Sequence, residues 1–252
     1  YDLNDKVLQN ALINIEKNLD KGIEKGKIKA EDKNKVLSNI RKTNDIKKLK
    51  VDVVIEAVLE KLEVKREVFE KLEAVNNTET IFATNTSSIP ITQIAAKLKH
   101  PGRVIGMHFF NPAHIMKLVE VISGTATHAD TADVIKQLAQ KLNKVPVMAK
   151  DSPGFIVNRV ARHFYLESLK ILEENIAGVE TIDKLIESSG FKMGPFRLMD
   201  LIGIDTNFAV TSSMFEAFHY DPKFRPSRIQ KQKVDAGQLW RKTGQGFYVY
   251  IE

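Results

Sequence analysis

The sequence predicts an α/β domain with a largely parallel sheet, followed by an all-α domain, and three observations carry that reading. Between residues 51 and 149, strand-like β-branched runs alternate with segments of helical period. From Phe155 onward nearly every apolar cluster recurs at helical spacing, beginning with Val157, Val160, Ala161, Phe164, Leu169 and Leu172. Between the two, Asp151-Ser152-Pro153-Gly154 supplies turn chemistry, which puts the boundary at residue 150 and the domains at 1–150 and 151–252.

The elements follow in order. Leu8, Leu12, Ile15 and Leu19 line one face of a first helix. A second helix runs from about Glu31 to Arg41 after the turn region around Gly22 and Gly26, giving a helical hairpin. Val51–Val58 reads as a strand covered on both faces. Helix Val64–Val75, strand Thr80–Thr84, helix Ile91–Leu98, strands Arg103–His108 and Leu118–Ser123, helix Thr131–Leu142 and strand Val145–Ala149 continue the alternation. Helices near 155–174, 179–189, 195–201, 203–219 and 227–235 make up the second domain, which ends in a short extended tail at Gly246–Tyr250.

Of the 252 residues, 43% are hydrophobic and 28% charged, which places the chain among globular proteins with a sizeable core and excludes disorder as its main theme. The absence of cysteine removes disulfides, thiolate metal sites and a cysteine nucleophile, and suits a reducing cytoplasm. No uncharged apolar run approaches the ~18–20 residues that span a bilayer, and the first residues are no signal peptide, so neither membrane nor secretion is expected. The net charge of +6 is concentrated in residues 1–50, which hold 13 Lys and Arg against 8 Asp and Glu. Lys21, Lys25, Lys27 and Lys29 crowd there, either as a solvated helix face or as a local site for a phosphorylated ligand. No nucleic-acid motif accompanies them, so no nucleic-acid partner is expected.

In parallel α/β sheets ligands sit beyond the carboxyl ends of the strands. The strand at 80–84 runs into Asn85-Thr86-Ser87-Ser88, which serves either as turn and helix cap or as a binding loop. The strand at 103–108 delivers His108 into Phe109-Phe110-Asn111-Pro112, and twelve residues on Glu120 stands among apolar neighbours. A buried glutamate is costly unless paired, and an imidazole on the adjacent strand is its plausible partner. Such a pair fixes the ring tautomer and stabilises imidazolium, as a base acting on an alcohol requires. His108 and His114 lack the spacing of a zinc pair, so no metal is expected. No glycine-rich phosphate loop is present, because no helix follows Gly244-Gln245-Gly246. Tyr1-Asp2 followed at once by a helix looks like the end of a strand whose acid takes a ribose hydroxyl.

Five segments in order, Asn85–Ser88, His108–Pro112, Met116–Val121, Asp151–Arg159 and Gly194-Pro195-Phe196, ending in Lys242–Tyr248, resemble the 3-hydroxyacyl-CoA dehydrogenases over essentially the whole chain. The resemblance implies a Rossmann-type doubly wound sheet and NAD-dependent interconversion of L-3-hydroxyacyl-CoA and 3-oxoacyl-CoA, in fatty acid β-oxidation or butanoate metabolism. It implies His108 as catalytic base, Glu120 as its orienting carboxylate, and Ser87 and Asn158 as holders of the substrate's oxygens. On the cofactor side it implies Asp2, Glu60, Lys65, Ser87 and Asn111. It places coenzyme A at the helical hairpin, with Lys25 as a phosphate contact and Asn18 beside it, and implies a homodimer through the helical domain. The family's opening strand, Gly-x-Gly-x-x-Gly loop and first helix have no counterpart before Tyr1. The sheet is therefore expected to be N-terminally incomplete, and the chain as written to bind NADH weakly. Two other readings stay open: a related hydroxyacid or sugar-acid dehydrogenase, and a truncated, non-catalytic acyl-CoA-binding dimer.

Overall fold

A computed structural model describes residues 1–240 and 243–250. The chain divides into two compact units, Tyr1–Asp52 with Glu67–Thr80, and Val53–Arg66 with the chain from Ile81 onward.

In the first unit, α1 (Asp5–Glu24) and α2 (Ala30–Ser38) form the expected hairpin. The Asn4 side chain accepts the Lys6 amide and caps α1. Lys33 ties the two helices, with its ammonium 2.6 Å from Asp20 and 3.1 Å from Glu16. Hydrogen bonding to Asp20 and then Glu16 holds that ammonium above the usual lysine value. The second helix stops at Ser38 rather than Arg41, because the chain turns at Asn39, whose amide closes the last turn on Val36 and Leu37.

The second unit carries a five-stranded sheet in the order β1 (Val53–Glu56), β2 (Ile81–Thr84), β3 (Val104–Phe109), β4 (Leu118–Ser123), β5 (Val145–Lys150). All neighbours are parallel except β3 and β4, which run antiparallel. The helices around it are α3 (Leu62–Glu73, shared with the first unit), α4 (Ile91–Ala95) and α5 (Ala129–Lys141). Ala132, Ile135 and Ala139 place one face of α5 on Ile105, Met107, Val119 and Val121, all fully buried. Each such side chain contributes roughly 1.5–3 kcal/mol by leaving water. On α4, Ile91 and Ile94 are likewise buried. Gly106 is needed beneath it, since a Cβ there would lie 2.8 Å from Ile91 Cδ1.

The 51–58 run forms a shorter strand than expected, and it is not covered on both faces. Among the described residues it pairs on one side only, as an edge of this sheet, and Val51, Ile55 and Val58 stay substantially exposed. After β5 come α6 (Val157–Glu173), α7 (Val179–Ser188), α8 (Pro195–Ile202), α9 (Ile204–Ala217) and α10 (Arg228–Asp235). Their core is Tyr165, Leu169, Ile182, Phe196, Met199 and Ile204. α6 starts later than expected because Gly154 and Phe155 both take positive φ, +72° and 49°, in the turn that precedes it. The expected extended tail is instead a tight bend, with Gln245 bridging both Trp240 and Val249. Among the described residues no helix is long and apolar enough to cross a membrane.

Candidate active site

The antiparallel β3–β4 pairing sets His108 directly opposite Glu120. Both are buried, and His108 Nδ1 lies 2.8 Å from Glu120 Oε2. The second carboxylate oxygen accepts the backbone amides of Ile156 and Val157 at 3.0 and 2.9 Å, at the start of α6. No side chain of α6 caps its own N-terminus, so a strand residue does so from 36 positions away. Burial pushes the Glu120 carboxyl up, but the bonds to His108, Val157 and Ile156 outweigh it and hold the group below the usual glutamate value. An ionised Glu120 accepts from Nδ1–H, which leaves the lone pair on Nε2. Phe110 and Phe155 flank the ring, with centroids 4.6 and 5.8 Å away. Among the described residues no protein group bonds Nε2.

Beyond the ends of the parallel strands β1 and β2 lies a second polar network. Lys65, buried on α3, sets its ammonium 2.9 Å from Glu56 and 3.2 Å from Glu60. Glu56 also accepts the Thr84 hydroxyl at 2.7 Å and the Val58 amide at 2.6 Å. Glu60 in turn accepts the Thr86 hydroxyl at 2.6 Å and the Ser87 amide at 2.8 Å, and so holds the Asn85–Ser88 loop. Burial raises the Glu60 carboxyl, while Thr86, Lys65 and Ser87 more than offset it, keeping it ionised to lower pH than usual. The Glu60 side chain remains 37% exposed. An exposed carboxylate with neighbouring hydroxyls and amides at the carboxyl ends of parallel strands fits the ribose hydroxyls of a dinucleotide such as NAD.

Ser87 and Asn158 are neighbours, as Asn158 Nδ2 donates to the Ser87 carbonyl at 3.2 Å. Asn85 joins this loop to the end of β3 by accepting the Phe109 amide at 2.8 Å. The structure thus brings together Glu60, Lys65, Ser87, His108, Glu120 and Asn158. Asn111 is exposed in the loop after β3. Asp2, Asn18 and Lys25 belong to the first unit. There Asp2 is half-buried and accepts the Asn4 amide, Asn18 is exposed, and Lys25 is exposed at the end of α1 with no carboxylate on it among the described residues. Sequence reasoning missed Glu56, Thr86 and Asn85 as parts of the network. A carboxylate closing the β-branched run 53–56 was the available signal for the first.

Comparison with known proteins agrees with this geometry. A family model described as the NAD binding domain of 3-hydroxyacyl-CoA dehydrogenase matches residues 1–152, and one described as the C-terminal domain of the same enzyme matches 154–250. The chain is 46% identical to a 3-hydroxyadipyl-CoA dehydrogenase of Escherichia coli over 98% of its own length, and spans about half, 53%, of that longer protein. It is 41% identical to a 3-hydroxybutyryl-CoA dehydrogenase of Clostridioides difficile, covering 96% of this chain and 87% of the relative. A crystal structure of (S)-3-hydroxybutyryl-CoA dehydrogenase from Ralstonia eutropha superposes with a TM-score of 0.95 at 38% identity, over 100% of this chain and 89% of that one. With both family models matched end to end around a buried His–Glu pair, the chain belongs to the 3-hydroxyacyl-CoA dehydrogenase family and carries that family's NAD-binding domain.

Proposed function

We propose that this protein interconverts an L-3-hydroxyacyl-CoA and the corresponding 3-oxoacyl-CoA with NAD as hydride carrier. The observation that carries the reading is the buried His108 ring, fixed on Glu120 through Nδ1 and open at Nε2. In the oxidative direction Nε2 takes the proton of the C3 hydroxyl, and Glu120 stabilises the imidazolium that forms. Bound NAD supplies the acceptor for the hydride that leaves C3. Phe110 and Phe155 keep water from the ring, while Ser87 and Asn158 hold the substrate's oxygens next to it.

Glu60, Ser87, Asn111 and Asp2 serve the cofactor, and Lys65 acts by way of Glu60. Lys25 serves the phosphates of coenzyme A, supported by its exposed ammonium, and Asn18 stands on the same helix. Residues 1–150 act as the cofactor domain and 151–252 as the substrate and dimerisation domain. Val160, Leu185, Phe191 and Leu201, all more than half exposed, support a second copy docking there. We place the reaction in fatty acid β-oxidation or butanoate metabolism, in the cytoplasm, which suits a cysteine-free chain.

Following NADH absorbance with L-3-hydroxybutyryl-CoA tests the proposal. His108→Gln should lower turnover by roughly 10²–10⁴-fold in a protein that still melts cooperatively. Near-normal turnover in that variant would sink it.

A further inference from the structure

Five donors converge on one oxygen of Glu60. Its Oε1 lies 2.6 Å from Thr86 Oγ1, 2.8 Å from Ser87 N, 3.2 Å from Ser88 N, and 3.3 Å from the hydroxyls of both Ser87 and Ser88. A carboxylate offers about four acceptor sites over its two oxygens, so Oε1 serves about two donors well. Oε2 faces Lys65.

The competition has a definite outcome. A backbone N–H cannot rotate away, so the Ser87 amide at 2.8 Å claims one site, while the Ser88 amide, at 3.2 Å, is shared with Thr86 Oγ1 at 3.4 Å. Thr86 claims the other, because its own oxygen already accepts the Ile89 amide at 3.0 Å and the Ser88 amide at 3.4 Å. Fully buried, its proton has no destination but Glu60. Nothing is left on Oε1 for the serine hydroxyls. Ser88 Oγ accepts the Ser213 hydroxyl at 3.4 Å, and the two serine hydroxyls, each 3.3 Å from Oε1, are its weakest donors, so that of the half-buried Ser87, rather than of the buried Ser88, is the one able to turn outward.

We propose that Thr86 is a positioning residue, which saturates Oε1 of Glu60 and so keeps the Ser87 hydroxyl proton free for an oxygen of the substrate. The inference rests on Ser87 as a substrate contact. Thr86→Val, close in volume, vacates an acceptor site whose nearest rotatable donors are the two serine hydroxyls. Ser87 then turns onto Glu60 and away from the substrate.

A double-mutant cycle in the intact enzyme, read as kcat/KM for a 3-hydroxyacyl-CoA, tests this. Thr86→Val should lower kcat/KM about tenfold, the worth of one hydrogen bond. Thr86→Ser, which keeps the donor, should restore the parental value. In a Ser87→Ala background the Thr86→Val loss should shrink to less than about twofold, because the two residues act through one proton. Equal losses in both backgrounds overturn the inference and leave the Ser87 contact standing. A Ser87→Ala enzyme at the parental rate overturns the contact itself, and the inference with it. If Thr86→Val does not melt as a folded protein, Thr86→Cys, a weaker donor of similar size, takes its place in the cycle with the same outcomes.

Discussion

Glu120 and Asp183 are built alike and differ in what they can do. Each is a buried carboxylate that accepts two consecutive backbone amides at the start of a helix, Ile156 and Val157 for Glu120, Phe196 and Arg197 for Asp183. Each takes a third donor from a ring, His108 Nδ1 at 2.8 Å or the Tyr248 hydroxyl at 2.9 Å. Tyr248 has a single proton and spends it on Asp183. Burial, and then that bond, push its hydroxyl well above the usual tyrosine value. His108 has a second nitrogen. The carboxylate that takes two consecutive amides is therefore a general joint of this fold, used again where Asp151 takes the Ile91 and Thr92 amides at the start of α4 and Asp200 those of Phe247 and Tyr248 in the tail bend. What separates a joint from the proposed catalytic pair is the ring on the third position.

The largest test of that contrast is Glu120→Gln. The amide oxygen can still accept from Ile156 and Val157, so the joint should hold. Its NH₂, however, faces Nδ1 and forces that nitrogen to accept, which moves the ring proton to Nε2 and abolishes the base. Turnover should fall by roughly 10²–10⁴-fold in a protein that still melts cooperatively. Full activity would collapse the distinction between the two joints.

Asp183→Asn should do the reverse. Its NH₂ meets a backbone donor in a buried site, and denaturant unfolding should show a loss of about 1–3 kcal/mol. Turnover per folded molecule should be unchanged, and a fall in turnover at full stability would mean that the second joint also serves the chemistry. The smallest effect is the acid dependence. Glu120 sits below the usual 4.5 when folded, so its stabilising contribution is complete above pH 4.5 and is lost as pH falls from there through the folded value. Glu120→Gln should flatten the stability curve below pH 4.5, and an unchanged slope there would show that the His108 and helix bonds add no stability.

These joints also mark how far the sequence could be read. Period and β-branching are local properties, so β2 to β5 and the five helices after Lys150 were legible. The pairing of His108 with Glu120 was legible too, since both sit on strands that follow one another directly. The short β1 was overestimated because a run of Val and Ile reports β-propensity, whereas length depends on how many residues find a ladder partner. The caps were invisible for a different reason. Asp151 serves amides 60 and 59 positions away and Asp200 serves amides 47 and 48 away, and no local pattern marks an acid for so distant a segment. Thr86 was in view as part of a turn, but its role depends on the count of donors around Glu60, which only coordinates supply.

The reversed direction of β4 has a further effect, on chain entropy. Because β4 begins where β3 ends, the contact between His108 and Glu120 closes a loop of only 12 residues, while that between Ser87 and Asn158 closes one of 71. Closure cost rises with the logarithm of loop length, so the first contact is cheaper by about 1.6 kcal/mol. His108 and Glu120 come as one hairpin, assembled at low entropic cost. Ser87 and Asn158, the proposed substrate contacts, draw on the packing of the helices after Lys150 to close their longer loop.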